Sequence, residues 1–150
     1  MRVIQLLPTL SFGDAIGNDT LALKEAIARM GFRSEVYAEN IDKRLPADSA
    51  KSVDKLKDLR DDDVVLYHKS MGTDLTFRFA EMKCRRIMVY HNITPTEFFR
   101  PYSSEAAALT EYGYEGVRYL SDKVEYCMAD SGYNRGELLK MGYKCPIDVR

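Results

Sequence analysis

The chain of 150 residues has no tryptophan, two histidines, three cysteines and no surplus of charge of either sign. Each scarcity excludes something. Lys plus Arg number 22 against 23 Asp plus Glu; without a basic excess no nucleic acid is expected as partner, and any anion site must be local. Cys84, Cys127 and Cys145 are an odd set with no CxxC pair, which suits core or surface thiols in a reducing compartment better than a disulfide framework. Two histidines without close carboxylate or cysteine partners fall short of the usual ligand number, so no metal is expected. No apolar run approaches the ~20 residues that span a bilayer. The start, Arg2-Val3-Ile4-Gln5-Leu6-Leu7, carries no cleavage-type signal. A cytoplasmic setting is expected, with peripheral contact at the inner face of a membrane allowed.

What is present is an ordinary globular composition, 45% hydrophobic and 30% charged, enough for one core. Short apolar runs alternate with helical periodicity. Strands are expected at Val3–Leu7 (closed by Pro8), Ser34–Ala38, Val64–Tyr67, Ile87–Tyr90, Tyr126–Ala129 and Ile147–Val149. Helices are expected from Asn18 to Met30, capped by Asn18 or Asp19 and ended by Gly31, then as a lysine-rich stretch at Ser49–Leu59, and at Leu75–Met82. Two more are expected at Ser104–Lys123, with a break near Gly113 and Gly116, and at Asn134–Met141, ended by Gly142. Pro95 and Pro101 make Asn92–Tyr102 a long loop. This alternation predicts an α/β, Rossmann-like doubly wound parallel sheet in the order 2-1-3-4-5, with a sixth strand beginning near the C-terminus. A strand cut off at Arg150 leads us to expect that the natural polypeptide continues.

Ligands of open parallel sheets bind beyond the carboxyl ends of the strands, and both histidines fall there. His91 follows Ile87–Tyr90 in the company of Asn92 and Thr94, a setting for binding a sugar hydroxyl or moving a proton; it is the catalytic candidate. His68 follows the third strand, with Ser70 and Gly72 behind it. After the first strand comes Gly13-Asp14-Ala15-Ile16-Gly17-Asn18, whose glycines suit a tight turn with backbone amides turned toward a ligand. Its spacing is not GxGxxG and no GK[ST] follows, while Asp14 suits a cap or a hydroxyl better than a phosphate. Ser131 suits a helix cap; Asn134 and Arg135 follow it, and Arg135 is a candidate to face a cleft. Among the tyrosines, Tyr102, Tyr112, Tyr114, Tyr119 and Tyr126 suit either sugar stacking or core bulk.

Four strings, Gly13-Asp14-Ala15-Ile16-Gly17-Asn18-Asp19, Tyr67-His68-Lys69-Ser70-Met71-Gly72, Tyr90-His91-Asn92-Ile93-Thr94-Pro95 and Ala129-Asp130-Ser131-Gly132-Tyr133-Asn134-Arg135-Gly136-Glu137-Leu138, together resemble the N-terminal domain of family-four glycosyltransferases, retaining enzymes of the GT-B fold. The resemblance covers nearly the whole chain. It implies metal-independent transfer of a sugar from a nucleotide-diphosphate sugar to a glycan or lipid-linked acceptor, with retention. It also implies a C-terminal donor-binding domain in cis, so the 150 residues alone are expected to be inactive. By that resemblance the Gly13–Asn18 loop lies near the donor phosphates and acceptor, His91 lies against the transferred sugar, and the three loops meet at one rim. The family's two glutamates separated by seven residues belong to the second domain; Glu97 and Glu105 share that spacing, but Pro101 interrupts them. The alternatives are a stand-alone α/β module holding a small anion, and a dehydrogenase with Glu39 on a ribose.

Overall fold

The computed structural model describes residues 1–150, and its elements run β1 (Arg2–Leu10), α1 (Ala15–Arg29), β2 (Arg33–Ile41), β3 (Lys51–Ser52), β4 (Val64–Lys69), α2 (Leu75–Ala80), β5 (Arg85–Tyr90), α3 (Ser104–Tyr119), β6 (Tyr126–Ala129), α4 (Gly132–Lys140) and β7 (Ile147–Val149). One all-parallel sheet has the order β3-β2-β1-β4-β5-β6-β7, a Rossmann-like α/β arrangement. The six expected strands appear in the expected order, and the direction of winding reverses between β1 and β4. No helix is long and apolar enough to cross a membrane.

Residues form two compact units, 1–67 with 83–85 and 68–82 with 86–150. In the first, Leu7, Leu10, Val36 and Ala38 make a buried cluster closed by Ile16 and Leu21 of α1 together with Ile41, Leu45 and Ala50. The buried Gln5 donates from Nε2 to the Thr20 carbonyl at 2.9 Å, fixing α1 on β1. In the second, Tyr143 donates to the Val117 carbonyl, and Phe77 meets the edge of Tyr119 with centroids 4.9 Å apart, joining α2 to α3.

Four local expectations are corrected. Asp14, not Asn18 or Asp19, caps α1, accepting from the amides of Ile16 and Gly17, so the helix starts three residues earlier than the apolar spacing suggests. Strand β1 does not stop at Pro8: its pairing with β4 ends at Leu6↔Tyr67, and beyond that only β2 pairs with it, where a missing amide proton is tolerated. The Ser49–Leu59 segment is not a helix. Lys51 and Ser52 pair with β2 as an edge strand, and the Ser52 hydroxyl takes the Asp54 amide to start a single 3-10 turn at Val53–Lys55.

The fourth correction concerns α3, which runs unbroken through both glycines. They are there for contact. A Cβ on Gly113 would stand 3.2 Å from the Gly72 amide nitrogen, and one on Gly116 would stand 3.1 Å from Lys69 Nζ. Gly72 is tighter still, 2.7 Å from the Leu109 carbonyl oxygen. Gly72→Ala is therefore expected to lower stability by ~1–3 kcal/mol through forced backbone displacement. Gly136→Ala, whose Cβ would meet nothing within 4 Å inside α4, should raise stability by roughly 0.5–1 kcal/mol. Urea melts of the two variants check the pair, and equal shifts in the same direction would contradict the packing account.

Candidate functional site

Within the second unit, one polar chain links the ends of successive parallel strands. The backbone builds it first. Past each strand end the next amide still bonds to the neighbouring strand: His91 N to the Lys69 carbonyl at 3.0 Å, Asp130 N to Tyr90 at 3.3 Å, and Arg150 N to Ala129 at 2.9 Å. Strands about 4.8 Å apart thus place the side chains that follow them within bonding reach. His68 Nδ1 lies 2.9 Å from His91 Nε2, His91 Nδ1 lies 2.8 Å from Asp130 Oδ2, and Arg150 Nε donates to Asp130 Oδ1 at 3.0 Å. The two imidazoles stack at 5.2 Å between centroids, 13° from parallel.

Burial grades along this chain. His68 is fully buried and the His91 side chain is 5% exposed, whereas Asp130 and Arg150 are 33% and 30% exposed. The accessible end is therefore the carboxylate–guanidinium pair. An ionised carboxylate only accepts, so against it His91 Nδ1 donates, and in the His68 Nδ1–His91 Nε2 pair one ring nitrogen donates and the other accepts. Burial holds the His68 pKa down to about 3, and a positive charge on the His91 ring and that of Arg150 push the same way. A buried imidazole, a second imidazole and a partly exposed carboxylate thus form one hydrogen-bonded series from the interior to the surface.

The acid behaviour of His68 follows. Its folded pKa is below the unfolded value of 6.5, so between 6.5 and about 3 the unfolded chain binds more protons. Stability contributed by neutral His68 is present above that window and is lost as pH falls through it. Urea unfolding from pH 7 to pH 4 should show a shallower loss in His68→Gln than in the wild type; identical slopes would remove His68 as the cause.

Neighbouring polar groups shape the same region. Lys69 is fully buried, donating from Nζ to the Met71 carbonyl at 2.6 Å and to Thr76 Oγ1 at 3.1 Å, and burial lowers its pKa to about 8. It holds the turn carrying Ser70 and Gly72, both partly buried. After β5, Ile93 is buried while Asn92 and Thr94 are exposed, and the Tyr114 hydroxyl donates to the Ile93 carbonyl at 2.7 Å. The loop continues into a 3-10 turn at Thr96–Phe98, tied to α3 by Thr110 Oγ1 donating to Thr96 Oγ1 at 3.1 Å.

The other expected site residues divide. Ser131 caps α4 by accepting from the Asn134 amide, and the buried Asn134 leaves Oδ1 without a protein partner. Arg135 bonds to the Ile147 carbonyl at 3.2 Å and serves β7. In the first unit, Gly13 has φ of +75°, and Ala15 and Asn18 are exposed. Ile16 packs into the core, while a Cβ on Gly17 would stand 2.4 Å from the Ser11 carbonyl oxygen. Asp14 occupies the first amides of α1, so this turn offers a ligand less bare N–H than its glycines suggest. Of the tyrosines, Tyr112 and Tyr126 bond to Asp74 and Asp148, Tyr119 packs on Phe77, and Tyr102 is 88% exposed.

Asp130, Arg150 and Lys69 stand outside the expected set. For Asp130 the signal was present: it is the first residue beyond β6, in the position His91 holds beyond β5. Arg150 depends on strand pairing that no single stretch encodes. No group of three or more His, Cys, Asp or Glu residues is arranged to hold a metal ion. No protein-family model matches the chain, and no curated protein matches it either.

Proposed function

We propose that the chain is the acceptor-side half of a retaining, nucleotide-sugar-dependent glycosyltransferase of the GT-B type. The observation that carries this reading is the His68–His91–Asp130–Arg150 chain, buried at one end and accessible at the other, at the carboxyl ends of parallel strands. A carboxylate has about four lone-pair sites. Two of Asp130's are used by His91 and Arg150, and the rest suit the hydroxyls of a sugar.

In this reading Asp130 takes a sugar hydroxyl and His91 positions it, since both His91 ring nitrogens are already engaged. Arg150 adds positive charge near the reacting sugar. The departing diphosphate needs more positive charge and more preorganised donors than that, and Asp14 already occupies the amides of the Gly13–Asn18 turn. A second, donor-binding domain in cis therefore supplies the rest. The acceptor is a glycan or a lipid-linked glycan, reached at the inner face of a membrane, and neither metal nor nucleic acid takes part.

The saturation of His91 equally favours a second reading, an α/β binding or regulatory module without chemistry. Turnover separates the two. Nucleotide-diphosphate sugars are screened by nucleotide release, using the polypeptide joined to its donor-binding half and residues 1–150 alone. Release is expected from the former only. Ligand binding without release by any form would favour the module, and transfer by residues 1–150 alone would overturn the half-enzyme reading.

A further inference from the structure

We propose that Cys127 and Cys145 are an intramolecular disulfide site, closed by exchange with a small-molecule disulfide such as oxidised glutathione, which staples β7 to β6. This inference is independent of the sugar-transfer reading. The two sulfurs are 3.7 Å apart and both thiols are free. Cys127 is buried on β6, and Cys145 is half-buried in the turn before β7.

The backbone already holds the pair. Cys127 N donates to the Pro146 carbonyl at 3.0 Å, and Cys127 is in register with Ile147. A disulfide has an S–S distance of about 2.05 Å, so the sulfurs need to approach by less than ~2 Å, within reach of side-chain rotation. Sequence spacing conceals this, because the residues are eighteen apart and only the β6–β7 pairing opposes them.

The chemistry has an order. Burial first, then the neighbouring Cys145, pushes the Cys127 thiol up, which keeps it protonated and unreactive toward outside reagents. The more accessible Cys145 thiolate attacks glutathione disulfide, forming a mixed disulfide and releasing one glutathione thiolate. Cys127, losing its proton, then attacks Cys145 Sγ; the mixed bond breaks and a second glutathione leaves. The two cysteines are oxidised by two electrons, glutathione disulfide is reduced to two thiols, and those thiols take up the two protons.

The ring closed by this bond contains α4 and Asp130, and it ties down the chain at Cys145, two residues before β7 and five before Arg150. Arg135 already bonds from α4 to the Ile147 carbonyl, so the covalent link reinforces the edge that presents Arg150 to Asp130. Slower amide exchange along β7 is the expected readout, by about tenfold or more, because local opening of an edge strand then requires strain against a covalent tether.

The test treats the reduced native chain with glutathione disulfide, followed by alkylation and peptide mapping by mass. The wild type is expected to lose two hydrogens, yield a Cys127–Cys145 linked peptide and leave Cys84 alkylatable, with β7 exchange slowed. Cys127→Ser should stop at the glutathione adduct on Cys145, and Cys145→Ser should form no cross-link. A wild-type bond to Cys84 or to a second molecule, a mixed disulfide that persists, or Cys127 and Cys145 both remaining alkylatable would overturn the site. Because the wild type alone decides these outcomes, a variant that failed to fold would not shield the proposal.

Discussion

Asp63→Ala is expected to lower the stability of the chain by ~3–5 kcal/mol, as is usual when one partner of a buried ion pair is removed. Asp63 is fully buried just before β4 and accepts from the Arg2 amide at 2.7 Å, Arg2 Nε at 3.2 Å, Arg2 Nη2 at 2.9 Å and the Arg60 amide at 3.0 Å. Arg2 also donates to Glu35 at 3.3 Å and to the carbonyls of Lys57 and Asp58, the latter in the left-handed region at φ of 55°. Loss of the carboxylate takes the acceptor from the Arg2 and Arg60 amides and from Arg2 Nε, and leaves the guanidinium held only by Glu35 and the Lys57 and Asp58 carbonyls. At about 2–4 °C per kcal/mol for a chain of this size, Tm should fall by roughly 10 °C.

The loss should depend on pH with a definite sign. Burial by itself would raise the Asp63 pKa, but hydrogen bonds from Arg2 and Arg60 bring it down to about 2 from 3.8. A folded pKa below the unfolded one means stability present above 3.8 and lost as pH falls toward 2. Wild type and variant should therefore differ most near neutrality and converge in acid. Urea melts at pH 7 and pH 3 measure this; a difference under 1 kcal/mol, or one unchanged between the two pH values, would show that the pair contributes nothing net.

The second large effect concerns transfer by the polypeptide joined to its donor-binding half, under the proposed function. His91→Ala is expected to lower kcat/KM by about two orders of magnitude, roughly 3 kcal/mol, the scale of a charge-assisted bond that orients a reacting group. The substitution leaves the Asp130 carboxylate without its ring donor and His68 without its Nδ1 partner. His91→Gln, which retains a polar end but not the two opposed ring nitrogens, should recover part of the loss. Unaltered transfer by His91→Ala would remove the His68–His91–Asp130–Arg150 chain from the mechanism, whereas a matching loss in Tm for both variants would assign it to stability.

Much of the architecture was legible in the letters, for a physical reason. Strands buried on both faces must be nearly all apolar, so Val3–Leu7, Val64–Tyr67 and Ile87–Tyr90 announce themselves. Gly31 and Gly142, both at φ of 92°, mark the ends of α1 and α4, because a helix exits readily through the left-handed region that glycine enters at little cost. Residues 49–59 misled because lysines at helical intervals describe any solvated segment, while the pairing of Lys51 and Ser52 with β2 is decided by a strand far away in sequence.

The same division applies to the site. The sequence by itself placed His91 after β5, Asp130 after β6 and Arg150 after β7, whereas His68, expected just past its strand, lies within β4, which runs on to Lys69. The sequence also determined that Gly17, Gly72, Gly113 and Gly116 have no side chain to obstruct a neighbour. Only the tertiary structure decided that these glycines are contact points, that both nitrogens of His91 are spent on His68 and Asp130, and that Cys127 faces Cys145 at 3.7 Å. Hydrogen bonds and thiol pairs act over about 3–4 Å, a precision set by strand register and helix packing across the whole chain, whereas composition and periodicity report only whether a residue meets water or the core.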